Sequence, residues 1–295
     1  MNLDIPDQVR KTVVADGNES WLAELPSLVD SLAQEWSLTI GSSFAGGHAA
    51  LVVEVTLAEG TPAVLKIGVP GREVRQEAIV FRLANGEGCA KLFAEDMDRQ
   101  ALLLERLGAP MYDVVADPAS RIDLLCELAV RLWRPIGPDV DLPTGAKLAE
   151  QYAARLPELW EQAGRPCTPA TVADALDCMN RRRVAHDDRS AVLVHGDIHE
   201  MNALQASDGS YKLIDPSGLR AEPACDLGTI GRSNPDLGDD LRARTEQLAA
   251  RTGVDATAIW EWGTIHRVFS GVYAYSIGFQ PFGELLLTEA DRLTA

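Results

Sequence analysis

Val192-Leu193-Val194-His195-Gly196-Asp197 carries an apolar run straight into an aspartate, and Asn202 follows five positions later. Thirteen residues beyond that, Lys212-Leu213-Ile214-Asp215 brings a second aspartate out of a second apolar run. Phosphoryl transfer needs this grouping. One carboxylate accepts or orients the proton of the attacking hydroxyl, and an amide oxygen and a second carboxylate hold the metal that bridges the nucleotide phosphates. Asp197 takes the first role. Asn202 and Asp215 take the second, and their all-oxygen chemistry suits Mg²⁺.

Lys66 is the next candidate. The chain has only five lysines, yet one sits inside the apolar segment Ala63-Val64-Leu65-Lys66-Ile67. From a strand, its ammonium can reach a nucleotide phosphate. A helix glutamate would hold it, either Glu73 or Glu77. Val74, Ala78 and Phe81 form that helix's apolar stripe, and Glu77 lies on it, which makes Glu77 the preferred partner. Between the first two strands, Gly41 to His48 is glycine-rich but does not match G-x-G-x-x-G, so it offers only a weak phosphate cradle. Asp226 either accepts hydrogen bonds from the Asp197 segment or caps a helix. His195 and His199 lack metal-binding partners at usable spacing and read as packing and hydrogen-bonding residues of the loop.

These groups need a scaffold. Residues 21 to 35 have helical spacing. Residues 37–40, 51–57 and 63–67 read as strands, 73–84 as a helix, and 90–93 and 101–104 as further strands. From Gly108 the pattern turns helical, with candidates at 120–133, 144–163, 168–184, 237–252 and 256–275. Two short strands carry Asp197 and Asp215 among them. The expectation is an α+β chain with two lobes: a β-rich N-terminal lobe over 1–107 and a larger helical lobe over 108–295. A ligand cleft would lie between them.

Composition narrows the partners. Of 295 residues, 27 are Lys or Arg and 44 are Asp or Glu, a net charge of −17. That charge repels nucleic acid and anionic membranes, so neither is expected as a partner. A cationic small-molecule acceptor is favoured instead. Its carboxylates are expected in Asn234-Pro235-Asp236-Leu237-Gly238-Asp239-Asp240, where Asp239 and Asp240 otherwise cap a helix, and in Trp260-Glu261-Trp262, where two rings would flank an acid. Five scattered cysteines without zinc spacing read as reduced thiols. With a polar, acidic start and no long apolar run, they point to a cytoplasmic protein.

His195-Gly196-Asp197-Ile198-His199-Glu200-Met201-Asn202, then Ile214-Asp215-Pro216-Ser217-Gly218, then Glu222-Pro223-Ala224-Cys225-Asp226-Leu227-Gly228 resembles the signature of the aminoglycoside phosphotransferases. The likeness spans roughly 20 to 280 and is strongest to the branch with streptomycin 6-phosphotransferases and hydroxyurea kinases. It implies a protein-kinase-like fold and transfer of the γ-phosphate of ATP (or GTP) to a small-molecule hydroxyl. Position by position it implies Asp197 as catalytic aspartate, Asn202 and Asp215 as magnesium ligands, and Lys66 with Glu77 as the nucleotide-positioning pair. Leu103 to Leu107 would be the hinge, with Glu105 and Leu107 meeting the nucleobase, while His195 and Asp226 support the catalytic loop. Glu200 and Cys225 depart from the usual pattern. The acceptor expected first is a streptomycin-like aminoglycoside, with resistance as the consequence. The alternatives are a metabolic kinase of a sugar, amino-alcohol or hydroxyurea-like acceptor, and a catalytically silent nucleotide-binding protein.

Overall fold

The computed structural model describes residues 4–44, 50–71, 74–232 and 240–295, and the chain falls into two compact units. Unit 1 is Met1–Gly108 with Ala206–Asp208. Unit 2 is Ala109–Gln205 with Gly209–Ala295.

Unit 1 starts with α1 (Asp7–Ala15) and α2 (Glu19–Glu35). β1 (Thr39–Ser43), β2 (Ala50–Thr56), β3 (Pro62–Gly68), β4 (Leu92–Asp96) and β5 (Ala101–Glu105) form an antiparallel sheet in the order β1-β2-β3-β5-β4. α3 (Arg75–Ala84) lies between β3 and β4 in the chain. Val9, Val13, Leu25, Val29 and Leu32 of the first two helices join Leu51, Val53, Leu65 and Ile67 of the sheet in one buried core. The alternation along β2 and β3 that buries these residues also fixes where Lys66 stands.

Unit 2 holds α4 (Met111–Val114), α5 (Pro118–Leu132), α6 (Gly145–Gln162), α7 (Pro169–Ala185), α8 (Ala224–Gly231), α9 (Leu241–Thr252), α10 (Ala256–Ser276) and α11 (Phe282–Thr294). α10 packs against α6, α7, α8, α9 and α11. Its crossing with α8 is tight at Gly228. A Cβ there would come within 2.4 Å of Trp262 Cβ and 2.7 Å of Gly263 N, so any larger residue forces the helices apart. Two short antiparallel strand pairs punctuate the helices: β6 (Val192–Val194) with β9 (Leu219–Ala221), and β7 (Ala203–Gln205) with β8 (Tyr211–Leu213).

All five cysteines are buried and unbridged. Burial pushes the thiols of Cys126, Cys167, Cys178 and Cys225 upward, those of Cys167 and Cys178 to about 12. No described helix is long and apolar enough to cross a membrane.

Candidate active site

The loop after β6 is built around a turn at Gly196, whose φ is +82°. Glycine adopts this left-handed value without a Cβ clash. The turn aims two peptide N–H groups at the fully buried Asp226 in the first turn of α8. His195 N donates to Asp226 Oδ2 at 3.1 Å and Gly196 N to Oδ1 at 2.8 Å. Trp133 Nε1 is a third donor, 3.0 Å from Oδ2. Burial pushes the Asp226 carboxyl up to about 6, although the three donors favour the anion.

His195 is also fully buried, and burial lowers its imidazole to about 4, so it is neutral at physiological pH. Its partners then fix the tautomer. Nδ1 accepts from Asp197 N at 3.3 Å, and Nε2–H donates to Ile214 O at 2.9 Å. One ring thereby ties the Asp197 loop to the strand end that presents Asp215. Two backbone bonds reinforce the tie, Ile214 N to Asn202 O at 2.9 Å and Gly218 N to His195 O at 3.0 Å. Asp215 itself has a φ of +55°. A non-glycine residue is uncommon there, and such strain concentrates at functional positions.

Asp197 lies among positive and amide donors. Asn202 Nδ2 donates to its carbonyl at 3.1 Å and to Oδ2 at 3.3 Å. His199 Nε2 is 3.5 Å from Oδ2, and the Arg232 guanidinium is 3.6 Å from Oδ1. Desolvation opposes ionisation, but the hydrogen bond and charge of His199, then the charge of Arg232, hold the carboxyl well below the usual range. It is an anion throughout the physiological range. His199 is held in turn by Met201 N, which donates to its Nδ1 at 3.3 Å.

The amide nitrogen of Asn202 faces Asp197, so its carbonyl oxygen is turned the other way. Among the described residues, no cluster of three or more His, Cys, Asp or Glu could hold a metal by itself. One amide oxygen and one carboxylate are a fit donor set for Mg²⁺, which binds through few protein oxygens and takes the rest from phosphates and water.

In unit 1, Lys66 Nζ lies 2.7 Å from both carboxylate oxygens of Glu77. Lys66 is 8% exposed. The alternative partner Glu73 lies outside the described residues, as do positions 45–48 of the glycine-rich loop. Glu105 closes β5: its N–H donates to Lys91 O at 2.8 Å, and its carboxylate accepts from Lys91 N at 3.0 Å. Leu107 is buried.

One sequence expectation for acceptor carboxylates needs correction. Glu261 is 4% exposed and is ion-paired with Arg181 and Arg182. Trp262 is buried and donates to Glu222. Adjacent residues on a helix point about 100° apart, so Trp260 and Trp262 do not flank a common ligand. Asp240 caps α9, accepting from Arg242 N at 2.9 Å. Asp236 and Asp239 lie outside the described residues. Conversely, Arg232 and Trp133 were missed. Arg232 follows Asp197 only after β7, β8, β9 and the whole of α8, and no local pattern marks either residue.

Residues 35–278 match the model of the aminoglycoside/hydroxyurea antibiotic resistance kinase family. The chain is 33% identical over 268 residues to streptomycin 6-kinase of Streptomyces glaucescens, covering 84% of this chain and 82% of that one. It is 30% identical over 263 residues to the hydroxyurea phosphotransferase of Kitasatospora aureofaciens, covering 83% and 71%. Among solved structures, an aminoglycoside phosphotransferase in ternary complex with ADP and hygromycin B superposes with a TM-score of 0.66. It is 13% identical, and the match covers 90% of this chain and 97% of that one. Choline kinase LicA of Streptococcus pneumoniae gives 0.63 at 10% identity, over 92% and 99%. These likenesses make the fold protein-kinase-like, α+β, with a small β-rich N-terminal lobe and a larger helical C-terminal lobe. The sequence matches go further: the chain belongs to the aminoglycoside/hydroxyurea antibiotic resistance kinases.

Proposed function

We propose that the protein inactivates a streptomycin-like aminoglycoside by transferring the γ-phosphate of ATP to one of its hydroxyls. The observation that carries the reading is the Asp197 loop, held by Asp226 and His195 and facing Asn202. The kinship with streptomycin 6-kinases supplies the acceptor class. Asp197 accepts the hydrogen bond of the acceptor hydroxyl and aims its oxygen at the phosphate. Because its carboxyl is held below the ordinary range, it is a weak base, and orientation is its main contribution until the proton transfers late. Asn202 and Asp215 would hold Mg²⁺, which when bound neutralises charge on the nucleotide phosphates. Lys66, fixed by Glu77, would meet the α- and β-phosphates, and Glu105 and Leu107 would frame the nucleobase. The net charge of −17 favours a cationic acceptor over a neutral one.

Acceptor-dependent ADP release tests this reading, with mass spectrometry of the product. Streptomycin should give the highest kcat/KM in a panel with other aminoglycosides, hydroxyurea and simple amino-alcohols. Its KM should rise with added KCl, because exposed charge pairing is screened over about 8 Å at physiological salt. A neutral best acceptor, or a KM flat in salt, would favour the metabolic-kinase reading. Nucleotide binding without any acceptor-dependent turnover would make the protein a silent binder.

The Lys66–Glu77 pair gives a separate expectation. Lys66→Ala should raise the nucleotide KM or lower kcat, and Glu77→Ala should do so more mildly. In the double variant the loss should fall short of the sum by about 0.5–3 kcal/mol, as for contacting groups. Additive effects in the nucleotide kinetics would remove Glu77 from the role.

A further inference from the structure

Trp260, which takes no part in the transfer site, lines a cavity of about 300 Å³ among α7, α9, α10 and α11. Two arginines, Arg242 and Arg267, line it against one carboxylate, Asp174. Arg267 is 2% exposed. Its Nε donates to Arg232 O at 2.6 Å. Among the described residues, its two terminal nitrogens have neither a hydrogen-bond acceptor nor a carboxylate in ion-pair range. A buried cation in that position calls for an anion.

The other lining groups complete a set of donors. The Arg242 guanidinium carbon lies 4.1 Å from the centre of the Trp260 ring. Stacking uses the face of the guanidinium and leaves its N–H edge for bidentate contact with an oxyanion. That edge has no hydrogen-bond partner among the described residues. Thr264 is 4% exposed, lines the same cavity, and its hydroxyl has no partner among the described residues either. Burial lowers the Arg267 guanidinium to about 10; Glu289 opposes this and repulsion from Arg244 adds to it. Arg267 is therefore still charged at neutral pH.

We propose that this cavity binds a small oxyanion of the phosphate class, free phosphate or a phosphate monoester, between Arg267 and Arg242 with the Thr264 hydroxyl as a third donor. Two guanidinium edges match the several oxygens of a tetrahedral anion better than the two of a carboxylate. Asp174 reduces the lining charge, which favours a species bringing its own hydroxyl, such as monohydrogen phosphate or a hydroxylated ester. The volume leaves room for a short organic chain beside the phosphate.

Calorimetric titration of the full chain tests the site, at fixed ionic strength and with the nucleotide site filled by a non-hydrolysable ATP analogue. Inorganic phosphate and glycerol phosphate are titrated separately. Saturable binding of one equivalent is expected, and the tighter of the two probes identifies free phosphate or ester as the ligand. Arg242→Gln and Thr264→Val should each weaken it, the former by about tenfold or more, the scale of a lost charge-assisted hydrogen bond. Arg267→Met should abolish it. Should circular dichroism show that variant unfolded, Arg242→Gln, on the surface, and Thr264→Val decide alone. No saturable binding of either probe overturns the proposal. So does binding that is unchanged in both Arg242→Gln and Thr264→Val, which would place the anion elsewhere on the chain.

Discussion

Replacing Asp197 with asparagine is expected to lower kcat by about 10²–10⁴-fold, the range for losing orientation of the hydroxyl and general-base help together. The fold should survive, because the Asp197 side chain is 41% exposed and supports no buried network by itself. Asparagine keeps the size of the group and can still accept at one oxygen. It loses the charge that faces His199 and Arg232, and it can take no proton from the acceptor hydroxyl. Nucleotide affinity should stay near wild type, as Lys66 and Glu77 are untouched. The check pairs single-turnover kinetics with thermal melts and nucleotide titration. A variant with near-normal kcat would take Asp197 out of the transfer step.

The second large effect is expected at Asp226, and it is of a different kind. Asp226→Asn replaces an oxygen that accepts N–H donors with an amide that must turn its own N–H₂ toward one of them. His195 N, Gly196 N and Trp133 Nε1 cannot all be satisfied. The expected loss of stability is about 3 kcal/mol, since groups left unpaired in the interior pay their desolvation cost. kcat should fall about 10²-fold even at temperatures where the variant is folded, because the loop carrying Asp197 drifts from its place.

The same residue sets a pH expectation. Its carboxyl titrates near 6 in the folded chain, above the value of about 4 for an unfolded aspartate. The folded state therefore binds this proton more tightly. The group's contribution to stability is present in full below about pH 4 and is lost as pH rises through 6. Acidification through pH 6 should thus weaken activity, as Asp226 releases a donor, without this group driving unfolding. Asp197, held well below the usual range, does not contribute to that limb. A wild-type acid limb near pH 6 that disappears in Asp226→Asn, measured with the same acceptor, would assign it. An unchanged limb would assign it to the nucleotide or the acceptor.

The residues legible in the sequence were those whose meaning is local. Asp197, Asn202 and Asp215 follow short apolar strands at fixed distances. Lys66 was marked by being a lysine within an apolar strand, and Glu77 by lying on the apolar face of α3. The long helices α2, α5, α6, α7, α9 and α10 were read within a few residues at most ends, because their apolar spacing is plain. One kind of failure came from contacts distant in sequence. Trp133 meets Asp226 across 93 positions, and neither residue's surroundings in the chain announce the other. α8 was not read as a helix because every residue from Ala224 to Gly231 is buried. A helix without a polar face has no amphipathic period. α1 escaped because only Val9 and Val13 among its residues reach the core. β7 and β9, three residues each, are too short for alternation to show. Glu261 was misjudged because two neighbouring tryptophans suggested a shared face, whereas the helix sends Trp262 inward and Glu261 to Arg181 and Arg182.

The burial of all five thiols has a practical corollary for following this enzyme in motion. The thiolate is the species that reacts with maleimides and iodoacetamides, and burial suppresses both its formation and its access. Native cysteines should therefore give little background under brief labelling at neutral pH. Val184, 69% exposed near the end of α7, then becomes a handle: Val184→Cys should take up one equivalent of dye while the wild type takes up almost none. A second cysteine at exposed Val14 in α1 would put donor and acceptor dyes on unit 2 and unit 1. Single-molecule energy transfer could then record the distance between the two units through a catalytic cycle, with no need to strip the native cysteines first.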